Sequence, residues 1–80
     1  MNTIEEIKAR VKRLYDENPT IHINVTSSHP KIAVRGVTAV IKAVYPNMFR
    51  IEECESGVPR YHSVQYSDLL VKKVEILELA

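Results

Sequence analysis

The chain has little cysteine, glycine and aromatic side chain: it contains one cysteine, two glycines, one phenylalanine and no tryptophan. The lone Cys54 cannot form an internal disulfide, which excludes a disulfide-stabilised scaffold. No apolar run approaches the roughly 18 residues that a membrane span needs. The N-terminus lacks the basic and then apolar segment of a secretory signal. We therefore expect a cytoplasmic protein without a membrane partner, in a compartment where thiols stay reduced.

An excess of charge of one sign is also lacking. Eleven basic and ten acidic side chains give a net charge of +1, so no overall field draws the chain to nucleic acid or to a membrane. The distribution is uneven, because residues 31–50 contain no Asp or Glu. The composition, 45% hydrophobic and 26% charged, is typical of a folded domain. We expect one domain, residues 1–80, with one core.

Residues 1–18 are predicted to form an amphipathic helix. Thr3 and Glu6 have the spacing of a capping box, which begins a helix. Asn18 and Pro19 end it. One face of this helix is apolar, with residues at spacings of three and four: Ile4, Ile7, Val11 and Leu14.

From residue 20 onward the hydrophobic period falls to two, which predicts β-strands. Residues 27–30 are interpreted as a turn and Gly36 as a bulge or bend. Ser67 or Asp68 can cap a short helical turn. The predicted strands are residues 21–26, 37–45, 48–53, 60–65 and 71–79. The fold class is therefore mainly β: a small SH3-like five-stranded barrel at residues 20–80, preceded by the helix.

Several short motifs resemble those of a known family. They are Arg35-Gly36, residues 45–49 (Tyr-Pro-Asn-Met-Phe), residues 63–70 (Ser-Val-Gln-Tyr-Ser-Asp-Leu-Leu) and residues 74–76 (Val-Glu-Ile). With the helix start they resemble the Veg family of Gram-positive bacteria over nearly the whole chain. The resemblance implies an SH3-like barrel behind an N-terminal helix, no known enzymatic activity, and stimulation of biofilm formation by opposing a repressor of matrix genes. Family members usually carry a basic cluster where this chain has residues 27–31 (Ser-Ser-His-Pro-Lys).

A candidate partner surface combines basic and aromatic residues. The basic residues suit an acidic partner or nucleic acid, although a solvated face explains them as well. Tyr45 with Pro46 fits an exposed aromatic ledge or the core, whereas Phe49 fits the core. Tyr66 fits a ring that braces the fold while its hydroxyl bonds to the backbone. The candidate residues are Lys31, Arg35, Lys42, Tyr45, Arg50 and Tyr66.

Catalysis and cofactor binding find no support in the sequence. Ser63 and His62, or Ser67 and Asp68, are residue types of a nucleophilic triad, but no Gly-x-Ser-x-Gly elbow accompanies them. Helix capping explains Ser67 and Asp68 better. The histidines and Cys54 do not have the spacing of a zinc motif. We therefore predict no enzyme, metal or cofactor.

Two functional hypotheses remain. The first is an interaction module that binds a protein, such as a transcriptional repressor, and so changes gene expression. The second is a nucleic-acid-binding barrel that uses the basic face. The last segment, residues 71–79, has apolar side chains on both faces. One of those faces must pack against the N-terminal helix or pair with a second copy in a homodimer.

Overall fold

A helix, an antiparallel sheet and a short C-terminal turn make up the computed structural model, which describes residues 3–28, 31–53 and 57–79. The chain is mostly β, as predicted. In chain order the elements are α1 (Ile4–Glu17), β1 (Thr20–Ser28), β2 (Lys31–Val44), β3 (Met48–Glu53), β4 (Arg60–Gln65), α2 (Tyr66–Leu70), β5 (Val74–Ile76) and a 3₁₀ turn (Leu77–Leu79).

Helix α1 begins as its sequence predicts, and its predicted apolar face packs inward except at Ile4, which is exposed. The Thr3 hydroxyl accepts a hydrogen bond from the Glu6 N–H at 3.2 Å, which satisfies a donor of the first turn. Ile7 and Val11 are buried, and Leu14 packs against the same core. The apolar face of α1 therefore covers the sheet of its own chain.

The five strands form one antiparallel sheet in the order β4-β3-β2-β1-β5. Alternate side chains of each strand point to the face that α1 covers. This face is the core, and burying it is the main source of stability in so short a chain. Its buried residues are Ile7, Val11, Ile21, Ile23, Val37, Ala39, Ile41, Phe49, Ile51, Val64, Tyr66 and Ile76.

The predicted irregularity at Gly36 is confirmed as a bulge. The register of β1 against β2 shifts between Ile23 and Val25, so that one residue of β1, Asn24, faces two of β2. Gly36 has φ +65°, a conformation that costs other residues about 1–2 kcal/mol. Its N–H donates to Asn24 Oδ1 at 2.9 Å. This contact replaces the ladder bond that the bulge interrupts.

A second register shift in β2 changes which residues point inward. The prediction that residues 37–45 keep one alternating face is wrong beyond Ile41, because the pairing of β2 with β3 shifts between Ile41 and Ala43. Val44 then lies opposite the buried Phe49 and packs against the core. Tyr45 is exposed. Lys42 is the extra residue of this bulge.

The sheet does not close into the predicted barrel. β4 and β5 lie at opposite edges of the sheet, and no pairing joins them within the described residues. Two features of the chain accompany the open seam. Helix α2 follows β4 directly and places the Tyr66 ring in the core, and β5 is three residues long.

The boundaries of three strands also differ from prediction, and β2 begins at Lys31 rather than at residue 37. Ser27 and Ser28 belong to β1 rather than to a turn, and pair with the start of β2; His29 and Pro30 lie outside the described residues. Of the predicted last strand, residues 71–79, only Val74–Ile76 forms β5. Beyond it, the Glu78 carboxylate accepts the His22 N–H at 2.8 Å, so a side chain takes the place of the next ladder bond.

Candidate partner-binding surface

Tyr66, one of the six candidate residues, is buried in the core beneath the exposed Tyr45. Its side chain is 2% exposed, and its ring centroid lies 5.6 Å from that of Phe49. The hydroxyl donates a hydrogen bond of 2.7 Å to the Tyr45 carbonyl, and burial raises the pKa of this hydroxyl. The structure therefore places Tyr66 as a brace between the core and the β2–β3 turn. Its ring is not available to a partner.

Tyr45 presents its side chain to solvent at the β2–β3 turn. The side chain is 45% exposed. It borders a shallow cleft of about 420 Å³ that Pro46, Met48, Arg50 and Ser63 also line. The hydrogen bond from the Tyr66 hydroxyl joins the backbone beneath this cleft to the core.

Arg50 connects this cleft to a second exposed tyrosine. Its guanidinium carbon lies 5.9 Å from the ring centroid of Tyr61, a cation–π distance worth about 0.5–1 kcal/mol at an exposed site. The register places Arg50 opposite Ser63 and the neighbouring Glu52 opposite Tyr61. Tyr61 is 58% exposed. We call Tyr45, Arg50 and Tyr61 the tyrosine–arginine surface.

Of the other basic candidates that the structure describes, Lys42 lies near this surface and Arg35 lies apart from it. Lys42 Nζ lies 3.3 Å from a carboxylate oxygen of Glu52, so an acidic group shares the outer face with Arg50. Arg35 is exposed at the other end of β2. The Lys31 side chain lies outside the described part of the structure. Of the six candidates, the fold brings Lys42, Tyr45 and Arg50 to one region.

Tyr61 is a surface residue that the sequence reasoning missed. The signal was present in the alternation of β4, because Val64 points into the core and the odd-numbered positions 61 and 63 therefore point away from it. A tyrosine that points outward from β4, an edge strand of the sheet, offers a large rigid contact area.

The histidine and aspartate that suggested catalysis make contacts of other kinds. His62 Nε2 lies 3.2 Å from a Glu53 carboxylate oxygen. Asp68, one of the two caps predicted for the short helix, accepts the Gln65 N–H at 3.2 Å from the third position of α2, and the N-cap itself is Gln65. Within residues 3–28, 31–53 and 57–79, no three His, Cys, Asp or Glu side chains lie close enough to hold a metal ion. In the same ranges no helix is long and apolar enough to cross a membrane.

Comparison with known proteins supports the resemblance noted in the sequence. A family model described as biofilm formation stimulator VEG matches residues 2–77. No curated protein and no solved structure gives a significant match. Since the matched segment spans nearly the whole chain, the protein belongs to the VEG family of biofilm formation stimulators.

Proposed function

We propose that this chain is a non-enzymatic interaction module that stimulates biofilm formation by binding a protein in the cytoplasm. The class of partner is a transcriptional repressor of matrix genes, which binding would remove from its targets. The observation that carries the proposal is the family match over residues 2–77.

The tyrosine–arginine surface is the site we assign to this partner. Tyrosine and arginine are enriched where protein interfaces have most of their binding energy. Tyr45 and Tyr61 together offer two exposed rings, and the Arg50 guanidinium lies against one of them. The hydrogen bond from Tyr66 to the Tyr45 carbonyl preorganises the turn, which lowers the entropy cost of binding.

A crosslinking pull-down with purified tagged chain tests the assignment. The wild type should recover one specific protein, and the double variant Tyr45→Ser/Tyr61→Ser should lose it. Tyr15→Ser is the matched control, because Tyr15 is 38% exposed on α1 and does not line the cleft beside Tyr45. Equal recovery by the double variant would exclude this surface as the site. Recovery of no specific protein by the wild type would contradict the proposed function itself.

Nucleic acid is the less favoured partner, because an acidic side chain lies on the same face of the sheet as Arg50. Lys42 is paired with Glu52, and that carboxylate would repel a phosphate bound beside Arg50. We therefore expect no gel shift at low salt. A shift that weakens steeply with salt, and loses about one unit of log–log slope in Arg50→Gln, would instead favour nucleic acid.

A further inference from the structure

Strand β4 presents an unpaired edge. It pairs with β3 on one side, and no backbone hydrogen bond joins residues 60–64 to any other described element. A row of unpaired N–H and C=O groups is a template for another extended chain. An extended chain is therefore the kind of partner that suits this edge.

The open seam of the sheet lies beside that edge. A cleft of about 420 Å³ separates β4 from β1 and β5, and its apolar walls include Val25, Val64 and Val74. Side chains that point inward from an added strand would cover these walls. Polar and charged side chains, among them Arg60 and Asp68, line the same cleft, so the seam offers an added strand both apolar and charged contacts.

The charges along this edge are of opposite sign at its two ends. Arg60 begins β4, and Asp68 lies just beyond its end; both line the cleft. Arg60 makes no ion pair with any residue that the structure describes. Its register partner Glu53 instead contacts His62. Asp68 accepts a backbone hydrogen bond from Gln65.

We propose that β4 pairs with β4 of a second copy of this chain, antiparallel and with a two-fold axis at His62. In this register Arg60 lies opposite the second copy's Val64 and within reach of its Asp68. The two-fold axis repeats the contact, so each end of the edge meets the opposite charge. A parallel arrangement would place Arg60 against Arg60. The charges thus select a second copy in one orientation.

The size of the contact sets its strength. Six residues of strand span about 20 Å. An interface built on one such edge lies at or below the lower end of specific interfaces, about 1,200 Å². The dimer is therefore weak and concentration-dependent, and its pairing leaves the tyrosine–arginine surface on the outer face of the sheet.

The proposal is tested with two charge-reversal variants, measured separately and as a mixture. Sedimentation equilibrium of the wild type over a wide concentration range should show a monomer–dimer equilibrium. Arg60→Glu alone and Asp68→Lys alone should each weaken the dimer about tenfold or more, because like charges then meet twice in each interface. An equimolar mixture of the two variants should restore association, since every contact again joins opposite charges.

Asp68 also caps α2, so Asp68→Lys can disturb folding as well as association. A measurement on the wild type alone avoids this problem. Amide hydrogen exchange of the wild type should slow at residues 60–64 as the protein concentration rises, with little change at residues 45–47. A wild type that stays monomeric at all concentrations would overturn the proposal. A dimer that Arg60→Glu leaves intact, a mixture without restoration, or protection confined to another strand would also overturn it.

Discussion

Replacing Tyr66 with phenylalanine removes one hydrogen bond and leaves the packing of the ring in place. The lost bond is the 2.7 Å contact from the hydroxyl to the Tyr45 carbonyl. A typical intramolecular hydrogen bond contributes about 0.5–1.5 kcal/mol net. Because Tyr45 lies at an exposed turn, water can reach the vacated carbonyl and limit the loss. We expect Tyr66→Phe to lower the free energy of unfolding by about 1 kcal/mol.

Urea and thermal unfolding followed by circular dichroism measure this loss. For a domain of 60–100 residues, about 1 kcal/mol corresponds to a fall in Tm of about 4–8 °C. Tyr61→Phe is the matched control, because it makes the same chemical change at an exposed ring and should stay within about 0.5 kcal/mol of wild type. A Tyr66→Phe protein as stable as wild type, or an equal loss in Tyr61→Phe, would refute the role of Tyr66 as a brace.

Three further substitutions test local features of the fold. Thr3→Ala removes the cap that accepts the Glu6 N–H and should cost about 1 kcal/mol in urea unfolding; no loss would show that the cap is dispensable. Lys72 has φ +62°, so Lys72→Gly should raise the unfolding free energy by about 1 kcal/mol, and a lower value would contradict strain there. Burial opposes ionisation of Glu78, but hydrogen bonds with His22 outweigh it and lower the Glu78 pKa. Ionised Glu78 therefore stabilises the fold above its unfolded pKa, and this contribution is lost as pH falls through the lowered folded pKa. The stability difference between wild type and Glu78→Gln should be largest near neutral pH and vanish in acid, whereas a constant difference would contradict the linkage.

Sequence patterns were sufficient to predict those elements whose hydrogen bonds or turns lie within a short stretch of the chain. The capping of α1 by Thr3 and the spacing of its apolar residues lie within one helix, so the sequence predicts that helix closely. The turn residues Gly57 and Pro59 predict a strand after them, and β4 spans Arg60–Gln65. Gly36 marks its bulge because few other residues adopt a positive φ at low cost.

Non-local contacts decided what the sequence could not predict. No glycine or proline lies beside the register shift at Lys42, so the sequence does not indicate it. The shift depends on how β2 pairs with β3. The 3₁₀ turn depends on Glu78 reaching His22, which is 56 positions away. Closure of the barrel required β4 to meet β5, and neither strand's pattern shows whether it does.

For the candidate surface, composition identified the residue types but not their exposure. Tyr45 and Tyr66 lie in similar polar and apolar surroundings in the sequence, yet one ring is exposed and the other is buried. The bulge in β2 turns the first outward, and the packing against Phe49 holds the second inward.

The most direct test of partner binding through the tyrosine–arginine surface is complementation in cells. A bacterium that lacks its own copy of this gene would express the wild type, Tyr15→Ser or Tyr45→Ser/Tyr61→Ser, and matrix-gene expression and biofilm mass would be measured. We expect the wild type and Tyr15→Ser to restore both. The double variant, present at the same level and with a Tm close to that of wild type, should restore neither. Full restoration by the double variant would contradict partner binding through this surface.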